Sequence, residues 1–511
     1  GINIPTGKDS LSMTQKYPDG TAVHSPGTVI ISTIGEVSDI RKTVTPDLKP
    51  VEDTFLYHID FTTGSKNPGG SSFSQVVNQI GDSCPQVADA QWFSETFGAI
   101  QNLINEGEVL AGHDIGSGGL ITSLLEMCFP SQKMGMKIDL DNFSEDLSSL
   151  LFAENPGIIM QMTTAGETLL NQQNIAYVRL GQITTDRSFT INYRGDITPL
   201  NIDQLRDVWY KTSYLLDSKQ RGKDHAIRRY NNYKEQPLEF TFPTTFQGLF
   251  KQYGIDPKRR EATGIKAAII REKGVNGDRE MAYSLYLAGF DVKDVHMTDL
   301  ISGREDLTDV NFIVFVGGFS NSDVLGSAKG WAGAFLYNQK ARESLNNFYK
   351  RDNTLSLGVC NGCQLMMELG LIYPNKADHP RMQHNSSHKF ESAFISVSIP
   401  ENNAVMLKSL AGSKLGVWLA HGEGRFDLAG DEDQYNIVVK YAYSAYPGNP
   451  NGSDHDAAAV CSADGRHLAI MPHLERSVFT WNWPYYAEGR TDEVSPWIEA
   501  FVNARDWISE Q

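Results

Sequence analysis

Short runs of β-branched and aromatic residues alternate along this chain with stretches whose apolar residues recur every three or four positions. In the first part the pattern predicts strands over 29–37, 55–61 and 158–162, and helices over 73–80, 92–106, 121–129, 165–172 and 201–217, with further strands ending near Thr198. This is an α+β arrangement. Residues 218–262 break the rhythm, because Lys219, Arg221, Lys223, Arg228, Arg229 and Lys234 crowd together and prolines stand at 237, 243 and 257. They read as a linker whose basic run is a solvated face or a dock onto an acidic domain. From 265 onward the pattern becomes strand 266–271, helix 279–288, strand 291–296, strand 311–316, a long helix 328–349 and strand 354–359. That alternation predicts a doubly wound α/β sheet. The expected units are therefore 1–217, a linker 218–262, and 263–511.

Composition narrows the class. A chain of 511 residues holds more than one domain, and 40% hydrophobic with 21% charged residues describes a globular protein. No apolar run reaches the roughly 18 residues of a membrane span, and no signal peptide is visible, so a soluble, cytoplasmic protein is expected. Five cysteines, an odd and sparse count, make no disulfide framework and suit a reducing compartment. The formal charge of −17 argues against a general nucleic-acid binder, although local basic sites still admit nucleotides. The chain opens at Gly1 without methionine and enters a patterned segment at once, which reads as a piece of something longer.

The chemistry concentrates where the strand 354–359 ends at Gly358-Val359-Cys360-Asn361-Gly362-Cys363-Gln364. A cysteine at a strand-to-helix turn is a nucleophile elbow: the helix start supplies N–H groups and a dipole that favour a thiolate and hold a developing oxyanion. Gly317-Gly318-Phe319-Ser320, after another buried strand, offers the second half of an oxyanion hole. The nucleophile needs a base. Met471-Pro472-His473-Leu474-Glu475-Arg476 supplies an imidazole with a carboxylate two residues on, facing the same way if the segment is extended. Cys360 and Cys363 also form a C-x-x-C, as in a redox pair or half a zinc site, but Cys84, Cys128 and Cys461 are isolated and provide no second pair. His421-Gly422-Glu423-Gly424-Arg425 suits the charged end of an amino acid, and a plain hairpin turn explains it equally.

In the first unit, Gly7-Lys8 invites a phosphate-loop reading that its spacing refuses, because Ile2 stands where a glycine is required and Asp9 follows the lysine. Two glycine-rich stretches precede helical patterns: 62–72, with Gly64, Gly69 and Gly70, and the run His113-Asp114-Ile115-Gly116-Ser117-Gly118-Gly119. Each has the composition of a phosphate cradle, and the second offers a carboxylate for a metal. A loop capped by Asp or Ser accounts for the second as well.

The elbow and the distant His-x-Glu resemble class I glutamine amidotransferases, whose pattern is G-x-C-x-G-x-Q followed far downstream by H-x-E. Taken with Gly7 to Ser10, His113-Asp114, Gly317 to Ser320, His421 to Arg425 and Asn449-Pro450-Asn451-Gly452-Ser453, the order of motifs resembles the C-terminal part of the large single-chain phosphoribosylformylglycinamidine synthases. The resemblance implies an aminoimidazole ribonucleotide synthetase-like domain before a glutaminase domain. It implies Cys360 as nucleophile, His473 as base and acid, Glu475 as its orienting group, and Gly318 and Asn361 as the oxyanion hole. Gln364, His421 and Glu423 become candidate glutamine contacts. Asp114 matches a magnesium-binding aspartate, and Gly116 stands at a nucleotide-contacting serine of an ADP-containing site. Gly116-Ser117 replaces the family's Ser-Asp there. The implied ligands are glutamine, ATP or ADP, Mg2+ and formylglycinamide ribonucleotide, with the rest of the synthetase region as partner and neither nucleic acid nor membrane.

Overall fold

The computed structural model describes residues 7, 13–24, 31–62, 66–87, 89–232, 235, 238–376, 379–487 and 489–511. Lys8, Asp9 and Ser10, Gly64, and the first two positions of the expected strand 29–37 lie outside the described residues. Strands β1 (Thr14–Lys16) and β2 (Ala22–His24) form a small exposed ribbon. A seven-stranded sheet follows from β3 (Thr54–Asp60), β4 (Val109–Asp114), β5 (Gly135–Asp139), β6 (Gly157–Thr163), β7 (Val178–Thr184), β8 (Phe189–Tyr193) and β9 (Asp196–Leu200). Its order is β4-β6-β3-β7-β5-β8-β9, antiparallel except where β5 lies beside β8.

The two-residue period of β3 explains how this sheet is covered. Leu56 points into a core shared with Leu120 and Leu124 of the helix Gly119–Cys128. Tyr57 and Ile59 point the other way, into a core with Ile100 and Leu103 of the helix Ala90–Glu106. Helices therefore cover both faces of β3.

The second sheet has nine strands: β10 (Lys266–Arg271), β11 (Asp291–His296), β12 (Phe312–Phe315), β13 (Leu355–Val359), β15 (Glu391–Ser398), β16 (Lys414–His421), β18 (Ile437–Tyr441), β19 (Ala457–Cys461) and β20 (His467–Ile470). The remaining strands, β14 (Arg381–Gln383) and β17 (Arg425–Asp427), make a separate ribbon. The order β11-β10-β12-β13-β20 is parallel, as the alternating strand and helix pattern predicts. It continues as β19-β18-β15-β16 with antiparallel neighbours, an extension that the doubly wound reading does not contain.

Several local expectations change. No strand forms over 31–37, where Ile31, Ile34 and Val37 are exposed; β-branched propensity without a pairing partner is not enough. The helix expected over 73–80 is only Ser72–Val76, and Asn78 just beyond has a positive φ of 55°. Of the glycine-rich run 113–119, His113 and Asp114 end β4 and Gly119 already opens the helix Gly119–Cys128. The long helix 328–349 is two, Lys329–Tyr337 and Gln339–Tyr349, because Asn338 turns extended and its side chain caps the second by accepting from the Ala341 amide. The stretch 218–262 holds the helix Lys223–Asn231, and Thr241 exchanges two backbone hydrogen bonds with Lys414, covering part of the outermost strand β16. Among the described residues, no helix is long and apolar enough to cross a membrane.

Candidate active site

Three parallel strands bring the chemistry together. Phe315 of β12 is level with Gly358 of β13, and Val359 of β13 is level with Ile470 of β20. Each strand then runs out of its C-terminal edge into a functional segment: Gly317 and Gly318 after β12, Cys360 after β13, His473 after β20. Loops at that edge of a parallel sheet are where such folds place their ligands.

Cys360 makes the turn itself, with φ 51° and ψ −105°, a strained left-handed conformation for a residue with a side chain. Its amide donates to Ile470 O at 2.9 Å, and its carbonyl accepts from Gln364, the first intrahelical bond of Asn361–Glu368. The flanking glycines serve close packing and not a left-handed turn. A Cβ on Gly362 would lie 2.0 Å from Phe315 O, and one on Gly358 would lie 2.5 Å from Gly362 O. The thiol donates to Ala420 O at 3.4 Å.

His473 and Glu475 are both buried, and Nδ1 meets Glu475 Oε1 at 2.7 Å. The segment is not the extended one that the sequence spacing assumed: Leu474–Arg476 is a turn of 3-10 helix, held by the His473 amide donating to Trp418 O at 2.7 Å. That turn folds Glu475 back onto the ring. The imidazole is raised to about 10: burial opposes its charge, and the Glu475 carboxylate and the Cys360 sulfur within hydrogen-bonding reach outweigh burial. A cavity of about 430 Å3 opens beside His473 and Glu475, lined also by Tyr283, Trp418, Ala420 and Phe479.

Gly318 sits at φ 117°, where a Cβ would be 2.6 Å from Asn276 N. It bridges Val275 between the bonds Asn276 N to Gly317 O and Phe319 N to Gly274 O, so its own amide points away from that partner. The Asn361 amide opens a helix and has no acceptor within it. The Asn361 side chain ties the loops together: its oxygen accepts from Ser320 N at 3.1 Å, and its nitrogen donates to Gln364 Oε1 at 2.9 Å and to Asp323 at 3.3 Å. Gln364 in turn donates to Glu423 O at 2.7 Å.

His421 is buried with Nδ1 3.1 Å from Asn385 Oδ1. That oxygen also accepts from Gly424 N, while the Asn385 nitrogen donates to Lys389 O and His421 O, so the imidazole must donate through Nδ1. Burial, reinforced by the charge of His473, lowers His421 to about 3. Its Nε2 is then a buried acceptor with no partner among the described residues. Glu423 is half-buried and accepts from Ser327 N at 3.3 Å. Asp323 and Asn385 escape sequence reasoning. The polar run Ser320-Asn321-Ser322-Asp323, whose last three residues take positive φ, carries a turn signal that marks the first, and nothing local marks the second.

The first unit offers less. Asp114 ends β4 with its side chain 86% exposed, while its neighbour His113 contacts Glu126 at 3.1 Å. No group of three or more His, Cys, Asp or Glu poised for a metal occurs among the described residues. Glu154 accepts from Ser72 N and Gly118 N at 2.8 Å each, so the chain's own carboxylate occupies amides of both glycine-rich loops. Gly116 has open space around it and no positive φ, so the fold does not demand glycine there.

Residues 264–508 match the CobB/CobQ-like glutamine amidotransferase domain, and residues 61–194 match the C-terminal domain of AIR synthase related proteins. The probable chloroplastic/mitochondrial phosphoribosylformylglycinamidine synthase of Arabidopsis thaliana is 39% identical over 99% of this chain and 38% of its own length. The human phosphoribosylformylglycinamidine synthase is 35% identical over 100% of this chain and 40% of its own. A solved structure of PurLQS from Thermotoga maritima, 25% identical, covers 48% of this chain and 98% of its own with a TM-score of 0.38. The chain thus spans about two fifths of the length of these two relatives. Over its whole length it is homologous to that part of the phosphoribosylformylglycinamidine synthases, an AIR synthase-related domain followed by a CobB/CobQ-like glutamine amidotransferase domain.

Proposed function

We propose that the chain carries the glutaminase and part of the synthetase of the glutamine-dependent, ATP-driven conversion of formylglycinamide ribonucleotide to formylglycinamidine ribonucleotide. The observation that carries this reading is Cys360, strained at the end of β13, with the His473 ring, paired with Glu475, facing it across Gly317, where a Cβ would lie 2.8 Å from His473 Cε1 and 3.4 Å from Cys360 Cβ. His473, made strongly basic by Glu475, takes the thiol proton to form a thiolate–imidazolium pair, and the sulfur then attacks the carboxamide carbon of glutamine. The tetrahedral oxyanion is held by the amides of Gly318 and Asn361. His473 returns the proton to the leaving nitrogen, the C–N bond breaks, and ammonia departs. Water activated by the same imidazole then hydrolyses the glutamyl thioester. Glu475 keeps the ring oriented. Gln364, His421 and Glu423 hold the amino-acid end, with His421 Nε2, which has no partner among the described residues, as the acceptor for an ammonium or amide donor.

The division that supports this reading is synthetase over 1–217, linker over 218–262 and glutaminase over 263–511. In the synthetase part, Asp114 and Gly116 are assigned to the metal and nucleotide side. Magnesium, when bound with ATP, neutralises phosphate charge, and Asp114 is the one described carboxylate assigned to it. Reducing, cytoplasmic conditions fit the free thiols, since all five cysteines are unpaired.

The test is to incubate the chain with glutamine, ATP, magnesium and formylglycinamide ribonucleotide and to follow glutamate and amidine separately. Slow glutamate release, abolished in Cys360→Ala with the fold intact, is expected, and amidine is expected to be undetectable. Glutamate release at the wild-type rate by Cys360→Ala removes the nucleophile assignment; amidine formation by this chain alone overturns the partial-synthetase reading.

A further inference from the structure

Glu391 opens β15, and its side chain is only 4% exposed. A carboxylate so buried persists when its charge is matched and its oxygens are hydrogen-bonded. The matching charges come from outside the nine-stranded sheet. Arg221, which closes the helix Ile202–Gln220, donates to one oxygen at 2.5 Å, and Arg229, on the helix Lys223–Asn231, donates to the other at 3.1 Å. Asp217 braces both guanidinium groups, 2.7 Å from Arg221 and 3.6 Å from Arg229. The helix that carries Asp217 belongs to the first unit, where Trp209 packs on Phe129 and donates to Glu126.

Two connections lead from this cluster to the candidate glutamine pocket. Glu391 stands directly opposite His421 in the antiparallel pair β15 and β16, so the two side chains are neighbours on one face of the sheet. Ser387 donates to Glu391 at 2.6 Å and lies in the loop of Asn385, the residue that fixes the His421 ring and the Gly424 amide. The pocket loop is thus anchored at one end on Glu391 and at the other on Asn385.

We infer that the pair of linker arginines on Glu391 is a positioning device for glutamine, holding the 385–391 loop and His421 in the geometry that binds substrate. The inference rests on the glutaminase reading above. Arg221, Arg229 and Glu391 touch no substrate; they act through Asn385 and His421. Removing one arginine leaves a buried charge half matched, and the loop that shields it is the one that shapes the pocket.

The experiment measures glutamine KM and kcat in the whole chain. Arg229→Ala raises KM about tenfold or more, with a smaller loss in kcat, as displacement of a substrate-positioning loop does. Arg229→Lys, which keeps the charge and loses the planar donor pair, falls between. The double variant Glu391→Gln/Arg229→Ala recovers part of the loss, because no unmatched buried charge remains. Lys219→Ala, at an exposed position near the same helix end, keeps the wild-type KM. Alkylation of Cys360 by iodoacetamide proceeds at the wild-type rate in Arg229→Ala, whereas inactivation by a glutamine-analogue affinity label needs a higher concentration. A purely structural role lowers thermal stability and moves neither KM nor the label. If Arg229→Ala does not fold, Arg229→Lys carries the test. Folded variants with wild-type KM and wild-type labelling overturn the inference, while a wild-type chain that neither hydrolyses glutamine nor takes the label overturns the glutaminase reading instead.

Discussion

Gly317→Ala isolates the geometry of the site from the stability of the fold. Gly317 follows β12 with no positive φ, so alanine is conformationally allowed, but its Cβ would lie 2.8 Å from His473 Cε1 and 3.4 Å from Cys360 Cβ. Non-bonded carbons settle at about 3.5–4.0 Å, so the ring must yield by roughly 0.7 Å or more. It cannot do so freely, because Nδ1 is held by Glu475 at 2.7 Å and the backbone by Trp418 at 2.7 Å. A misplacement approaching 1 Å reduces turnover by up to about 100-fold, so a loss of about 30- to 100-fold in kcat/KM is expected, equivalent to about 2–2.7 kcal/mol in the transition state. Overpacking destabilises the fold by about 1–3 kcal/mol, which thermal unfolding reads separately. The assay is steady-state glutamate release beside a melting curve. A folded Gly317→Ala whose kcat/KM stays within about threefold of wild type refutes the claim that this approach sets the position of His473.

Other substitutions and conditions test neighbouring arguments. Gly362→Ala places a methyl 2.0 Å from a backbone oxygen of a central strand and is expected to cost about 3 kcal/mol or more, visible as a lower urea midpoint. Gly98→Ala, on the exposed side of the helix Ala90–Glu106 with nothing within 4 Å, should gain about 0.5–1 kcal/mol and leave glutaminase activity unchanged. Stability should fall on both sides of neutrality. His473 is raised to about 10, so its contribution is complete below its ordinary 6.5 and is lost as pH rises through about 10. His421, lowered to about 3, and His58 and His467, each lowered to about 4 chiefly by burial, contribute fully above 6.5 and lose that contribution as pH falls toward those values. A melting temperature that does not change between pH 4 and pH 10 contradicts this account.

Glutamate release should also rank His473→Ala and Glu475→Gln: the first removes the base and should match the loss of the thiol, and the second keeps an amide that orients the ring and should retain more activity. Equal rates for wild type and His473→Ala would take the histidine out of the mechanism.

The sequence alone determined what depends on neighbours along the chain. The helices near 92–106, 165–172 and 201–217 and the parallel strands of the second sheet follow from apolar periodicity and run length, which are local quantities. The candidate residues Cys360, His473 and Glu475 were legible because each sits in a short motif at a strand end. The antiparallel strands β15, β16, β18 and β19, the break at Asn338 and the missing strand at 31–37 were not, since each depends on whether a distant segment supplies a pairing partner or a cap. Only the tertiary structure decided that a 3-10 turn, and not an extended segment, folds Glu475 onto His473, that Asn385 sets the tautomer of His421, and that Glu154 fills the amides of two glycine-rich loops. Those are contacts between side chains and backbone far apart in sequence. Their geometry is set by strand register and burial, which no local pattern of residues encodes.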